Sequence, residues 1–411
     1  MDIPQVVLDV ALACHRAGGH AVVVGGGVRD HLMGRSPKDF DLEVRGLEVD
    51  VLHKVLRRLG PAKPVGRSFG VFKLTRGGME IDIALPQSGE ENRGLQDRSV
   101  QGDPHLSLSE AARRRDLTIN AIAYDPLSGD LVDPFCGVKD IEDGILRAVD
   151  EETFVADPLR VLRVAQFSAR FGFSVDPALV SLCQRIPIAE LPAERIQIEL
   201  RKLFLSAPRP SVGLRVAAQM QVLERLFPFL SSFQQDHAEA IDRAAAVRDA
   251  VTHPFSLMLS VWLSDCDPDG VLLVLDRIKV FSDEGYRVRD QVLAAVAHWR
   301  TLVEPASPQR LQHLAEEGEV DLIAHVAWAV SGSAHAMRAR ELAAEMGIAH
   351  QRLPPLLYGR DLAKRGIPAG RHMGVLLKSV RRAQLDGVIE NSEDAIVMAL
   401  RLWSEAQRNE V

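Results

Sequence analysis

Between residues 4 and 17 the apolar positions recur every three or four residues, the signature of a helix with one buried face. The next segment, HAVVVGGGVRD, changes period. Its β-branched run ends in three glycines, which predicts a buried strand turning into a helix at Gly25 to Gly27, with Arg29 to Leu32 in that second helix. After Gly34 and Pro37 comes KDFDLEV, whose alternation of acidic and apolar residues predicts a strand; FGVFKLTR and MEIDIAL predict two more. Strand and helix therefore alternate over the first 137 residues, as an α/β domain requires.

From Ile141 onward the period is helical, as in DPLRVLRVAQFSARFGF and ERIQIELRKLFL. The helical spacing stops at SAPRPSVG, because Pro208 and Pro210 cannot both sit inside one continuous helix. A second break is expected around residues 307 to 320, and no repeat of fixed period is present. These changes predict an α+β multidomain protein: a head with a small mixed sheet over 1–137, then helical segments over 138–206, 207–320 and 321–411.

A length of 411 residues exceeds one ordinary core and supports several structural units. The 46% hydrophobic and 26% charged shares are those of a folded globular protein, with no low-complexity tract. Aromatics are 5%, too few for a base-stacking platform as the main RNA-binding device. The net charge of −7 means that contact with nucleic acid needs a local basic surface. Cys14, Cys136, Cys183 and Cys266 include no CxxC pair, so neither a zinc knuckle nor a disulfide framework is indicated, and a reducing cytoplasm is expected. The N-terminus reads as an amphipathic helix rather than a signal peptide, and no run of about 18 apolar residues occurs.

Candidate chemistry sits in KDFDLEV. Two residues apart on a strand, Asp39 and Asp41 project from one face about 6.6 Å apart at Cα, close enough to share divalent cations. A pair of such ions activates an attacking hydroxyl and neutralises a leaving oxygen in an in-line phosphoryl displacement. A dozen residues earlier, the glycine turn at a helix start lets backbone N–H groups approach a phosphate. Glu80 and Asp82 also alternate on a strand, and either is a candidate third carboxylate.

The segment GGGVRDHLMGRSPKDFDLEV resembles the GGxVRDxLxG and DxD signature of the class II tRNA nucleotidyltransferases and bacterial poly(A) polymerases. RRRDLTINAIAYDP (113–126) is similar to the family's RRDFTINA motif, DPLRVLRVAQFSARFGF to its EDxxRxxR motif, and residues 359–387 to its C-terminal region. The resemblance implies a nucleotidyltransferase head (1–137), a neck that recognises the base (138–206), a body (207–320) and a tRNA-binding tail (321–411). It implies Mg2+ held by Asp39 and Asp41, and an incoming CTP or ATP contacted by Gly26 and Arg29 and clamped by Arg115. Asp157 and Arg160 would read the Watson–Crick edge, with Arg163 turned towards the triphosphate; a carboxylate accepts from an exocyclic amine and a guanidinium donates to ring nitrogen or carbonyl. The implied partner is the 3′ end of tRNA. A poly(A) polymerase shares the same constellation, and a non-catalytic RNA-binding relative is the rival of another class.

Asp157, Arg160 and Arg163 recur every three residues, which predicts one helix face. For RNA the candidate surface is Arg195, Arg201 and Lys202, with Lys364, Arg365, Arg371, Lys378, Arg381 and Arg382 in the tail. The chain departs from the family at Ala156, where a glutamate is usual, at Gln166, where many members carry a further arginine, and in the acidic segment 87–105, where a basic loop is usual. No His-Asp dipeptide occurs, so an HD phosphohydrolase site is not expected; His253, Asp265 and Asp267 are expected to be structural.

Overall fold

The computed structural model describes residues 1–37, 39–65, 70–88, 101–228, 230 and 235–409. It divides into two compact units, Met1–Leu203 with Val212–Pro228, and Phe204–Ser211 with Phe229–Val411. Within the first unit the α+β head expected from the sequence is built on a seven-stranded mixed sheet.

Helix α1 (Gln5–Arg16) buries Val7, Val10, Ala11 and Cys14, a stripe at the predicted spacing. It leads into β1 (His20–Val24), then α2 (Gly26–Leu32), β2 (Asp41–Arg45) and α3 (Val49–Leu59). Three further strands, β3 (Ala62–Pro64), β4 (Val71–Arg76) and β5 (Met79–Ala84), and a two-residue hairpin of β6 (Gln87–Ser88) and β7 (Gln101–Gly102) follow. Strands β8 (Ala123–Tyr124) and β9 (Leu131–Val132) complete the main sheet in the order β3-β4-β5-β2-β1-β8-β9.

The β-branched run of β1 lies inside the sheet between β2 and β8 and is buried on both faces, at Ala21, Val22, Val23 and Val24. One face of the sheet packs Ala21, Val23, Leu42, Val44, Phe72, Leu74, Ile81 and Ile83 with the apolar stripes of α1 and α3. Period-2 alternation then puts Asp41, Glu43, Glu80 and Asp82 on the other face. Strand β2 pairs in parallel with β5, with α3, β3 and β4 forming the crossover between them.

Between and after these strands come α4 (Leu108–Arg113), α5 (Gly137–Asp143) and α6 (Glu151–Val155), then α7 (Arg160–Phe171), α8 (Pro177–Arg185), α9 (Ala193–Ser206), α10 (Pro210–Gln219) and α11 (Val222–Leu226). The two prolines do separate α9 from α10. One small departure from the all-helical expectation is the parallel pair β10 (Ile145–Leu146) and β11 (Ser174–Val175), too short to carry a period of its own.

The second unit is helical: α12 (Gln235–Val247), α13 (Pro254–Trp262), α14 (Pro268–Arg277), α15 (Val288–His298), α16 (Pro308–Glu317), α17 (Val320–Ser331), α18 (Ala334–Glu345), α19 (Gly359–Ala363), α20 (Arg371–Leu385) and α21 (Ser392–Asn409). As expected near SPQR and EEGEVD, the helices break on either side of α16: Ser307 accepts the Arg310 N–H as its N-cap, Pro308 sits at the first helical position, where its missing N–H costs nothing, and Gly318 follows its last turn. Among the described residues no helix is long and apolar enough to cross a membrane.

Candidate active site in the head

The carboxylates come first. Strand β2 starts at Asp41, so Asp39 lies two residues ahead of the strand rather than on it; the alternation nevertheless continues, with Asp39 exposed, Phe40 buried and Asp41 exposed. Asp41 is the direct Cα partner of Asp82 in the parallel β2–β5 pair. Partial burial raises the Asp41 pKa above the usual carboxylate range, and the nearby charges of Asp82 and Asp39 push the same way against Arg115. Hard oxygen donors whose mutual repulsion a cation relieves suit a divalent metal ion. Lys73 on the same face pairs with Glu80 at 3.2 Å and with Asp82 at 3.9 Å.

The glycine turn is shaped for this neighbourhood. Gly25 caps α2 at φ +74°, a conformation that side chains avoid, and a Cβ there would stand 3.1 Å from Nη1 of Arg115 and 3.9 Å from Oδ2 of Asp41. A Cβ on Gly27 would come within 2.9 Å of the Asp39 carbonyl, so only glycine lets α2 approach the segment that carries Asp39. Gly26 lies against the Arg29 guanidinium.

Of these groups Gly25, Gly26, Arg29, Asp41 and Arg115 border a cavity of about 480 Å3, within the range of small-ligand sites, whereas Asp39, Asp82 and Gly27 are not among its lining residues. Gly25, Gly26 and Asp41 form one wall; seven cationic side chains (Arg29, Arg115, Arg160, Arg163, Arg170, Arg195 and Lys202) meet the carboxylates of Asp41, Asp116 and Asp157 around it. Such a surplus of positive charge in a concave site favours a polyanion. Arg115 has its Nη2 3.6 Å from Glu43, whose own pKa burial raises in spite of that neighbour.

The expected helical row of Asp157, Arg160 and Arg163 takes a different form. Helix α7 begins at Arg160, and Asp157 lies in the preceding turn, because Pro158 disfavours helical backbone at the residue before it. Asp157 accepts the Leu159 N–H at 3.2 Å and a bond from Arg195 at 2.8 Å. Arg160 donates to the carbonyls of Thr153 and Arg114, both at 2.6 Å, and Arg163 donates Nε to Asp116 at 2.7 Å. All three still border the cavity. Arg29 is almost fully buried: it donates to Asp30 and Asn120, and its guanidinium stacks over Phe167 and Phe171. Burial lowers its pKa, opposed by the Asp30 carboxylate.

Sequence reasoning missed Asp116 and Asn120, although both lie in the quoted RRRDLTIN stretch. Asp116 is buried, which alone would raise its pKa, but the Arg163 charge and bonds from Asn120, Arg163 and the Leu117 N–H hold it below the usual range. It thereby joins the loop after α4 to α7. Arg195 and Lys202, expected on an RNA surface, border this cavity, Lys202 held by Glu199 at 2.8 Å; Arg201 is half-buried on the same helix, α9.

In the second unit Lys364 is exposed, as are Arg371, Lys378 and Arg382 on α20, spaced to share one side. Arg365 donates to the Asp361 carbonyl. Arg381, expected with them, is turned inward onto the carbonyls of Leu353 and Pro354, Gln384 and Glu316, since these acceptors need a donor more than the solvent does. His253 stacks on Tyr286, Asp265 pairs with Arg300, and Asp267 caps α14, all structural roles. Glu319, Asp321 and His350 bring ligand atoms within 4.8 Å of one another, but Tyr286 and Arg340 already bond the two carboxylates. Most of the unusual 87–105 segment, residues 89–100, lies outside the described residues.

Residues 21–147 match the family model of the poly A polymerase head domain, and residues 172–234 that of the probable RNA and SrmB-binding site of polymerase A. The Multifunctional CCA protein of Xanthomonas campestris pv. campestris (strain B100) is 38% identical over 217 residues, 51% of this chain and 51% of that protein. That of Stenotrophomonas maltophilia (strain K279a) is 41% identical over 217 residues, 51% of this chain and 52% of its own length. The chain thus spans about half the length of the relatives it matches. The fold is shared with the Bacillus stearothermophilus CCA-adding enzyme in complex with CTP, at TM-score 0.75 and 23% identity over 98% of each chain. It is shared too with the Thermotoga maritima CCA-adding enzyme complexed with tRNA, at TM-score 0.64 and 23% identity over 97% of this chain and 95% of the other.

Proposed function

We propose that this chain, which carries a poly A polymerase head domain, is a CCA tRNA nucleotidyltransferase that adds C and A to the 3′ end of tRNA from CTP and ATP without a nucleic-acid template. In the reaction the RNA 3′-oxygen forms a bond to the α-phosphorus, the bond from that phosphorus to the bridging oxygen of the β-phosphate breaks, and pyrophosphate leaves. The observation that carries this reading is the pairing of Asp41 with Asp82 beside Asp39, at the edge of a cavity walled by Gly25, Gly26 and seven cationic side chains.

Asp39, Asp41 and Asp82 are the residues that would hold Mg2+. When bound, the ions supply activation of the attacking hydroxyl and neutralisation of the leaving oxygen. Gly25 and Gly26 leave space for the phosphates, and Arg115 opposes their charge. Asp157 and Arg160 offer acceptor and donor to the base edge, while Asp116 keeps Arg163 oriented. Lys364, Arg371 and Lys378, with Arg201 and Lys202, are proposed to meet RNA phosphates. The substrate class implies action in the cytoplasm.

Similarity to the multifunctional CCA relatives supports this reading, as do the CTP and tRNA bound by the shared-fold enzymes. The name of the matched head domain favours a second reading, a poly(A) polymerase. Purified protein incubated with tRNA lacking its CCA end and with CTP, ATP or both separates them through the length and composition of the 3′ extension. Repeated ATP incorporation on any RNA, with no use of CTP, rejects the tRNA reading.

A further inference from the structure

Gln166 on α7 is 2% exposed, and its Nε2 has no hydrogen-bond partner. An amide N–H stripped of water without a partner costs free energy, and buried polar groups in folded proteins nearly always find one. This amide is not in a sealed core: Gln166 borders the same cavity as Asp157, Arg160 and Arg163. On α7 it lies one turn beyond Arg163 and precedes Phe167, whose ring carries the Arg163 and Arg29 guanidinium groups.

The chemistry of the neighbours narrows what the amide takes. Cationic side chains supply the cavity with charged donors in plenty, and these outcompete a neutral amide for phosphate oxygens. An amide offers instead a donor and an acceptor without charge, the match for a sugar hydroxyl or a base edge. We infer that Gln166 is a nucleotide-binding residue whose side-chain amide donates to an uncharged acceptor on the nucleoside part of the incoming triphosphate. The inference rests on the proposed nucleotidyl-transfer reading of this cavity.

The test exploits two effects of opposite sign. Gln166→Met keeps the length of the side chain and its helix preference while removing the amide; Gln166→Leu serves as a second variant. Equilibrium dialysis with CTP and with ATP, each with Mg2+, and thermal melts of the nucleotide-free protein are measured for wild type and both variants. Expected is a melting temperature equal to or above that of wild type, because an unpaired buried group has gone, together with a rise in Kd of roughly five- to tenfold, the worth of one hydrogen bond. With 2′-deoxy-CTP, loss of the difference between wild type and variant places the contact on the sugar; unequal effects on CTP and ATP place it on the base. Unchanged Kd in both variants overturns the inference alone, whatever the melts show. A lowered melting temperature with a raised Kd in both variants also overturns it, since the amide then serves the fold. Failure of the wild-type protein to bind either triphosphate overturns the functional reading and this inference together.

Discussion

Asp41 and Asp82 face one another as direct partners across the parallel pairing of β2 and β5. That relationship is the ground for proposing Asp82 rather than Glu80 as the third carboxylate; Lys73 pairs with both, at 3.9 Å and 3.2 Å. Asp82→Asn is expected to lower Mg2+-dependent nucleotide addition by on the order of a hundredfold and to raise the Mg2+ concentration for half-maximal rate. The melting temperature should hold or rise, because a like charge beside Asp41 is removed. Rates measured across a Mg2+ titration decide the matter, and wild-type turnover in the variant excludes Asp82 from the site.

The Asp116–Arg163 pair predicts a stability loss with a pH signature. Removing the Asp116 charge in Asp116→Asn strands Arg163, which keeps 33% of its side chain exposed, so the cost should sit near the low end for a buried pair, about 3 kcal/mol. Because the folded pKa of Asp116 is depressed, its contribution is fully present above the unfolded value of about 3.9 and is lost as pH falls through the lower folded value. Denaturant midpoints at pH 7 should therefore differ between wild type and variant, and the gap should begin to close as pH falls below about 4. A constant gap across that range contradicts the assignment.

At Gly25, φ +74° and the closeness of Arg115 predict a double penalty for Gly25→Ala. The backbone strain should cost about 1–3 kcal/mol, and a displaced Arg115 should weaken triphosphate binding several-fold while leaving the affinity for RNA unchanged. Isothermal titration with each ligand tests the separation; equal weakening of both ligands argues for general unfolding instead.

For the tail, replacing Lys364, Arg371 and Lys378 together by alanine should weaken tRNA binding and lower the slope of log K against log salt by roughly 2–3, at about 0.7–0.9 per phosphate contact. Triphosphate affinity should not change. An unaltered salt slope removes these residues from the RNA surface.

Much of the head was legible because its period is simple. Alternation in KDFDLEV and MEIDIAL depends only on which residues are apolar, and the glycine run marks a turn that side chains would block. The pairing of β2 with β5 was not legible, because nothing local states which strand lies next to which. The same limit hid Asp116: the side chains that donate to it, Asn120 and Arg163 of α7, are brought together only by packing. Spacing misled at Asp157, where Pro158 ends the helical run that a three-residue recurrence suggests. Arg381 shows the opposite error, since a basic residue among basic neighbours was read as surface when the Leu353 carbonyl and the Glu316 carboxylate had claimed it.

The crossover that makes β2 and β5 parallel has a consequence for how the protein comes into being. Roughly forty positions of chain must be synthesised and folded before the second carboxylate can reach the first, so loop-closure entropy delays this junction relative to the local hairpins. A nascent chain halted before β5 would hold Asp39 and Asp41 without the strand that completes their surroundings. The corner proposed to hold the ions therefore forms after the local β4–β5 hairpin, and a fragment ending before β5 lacks it.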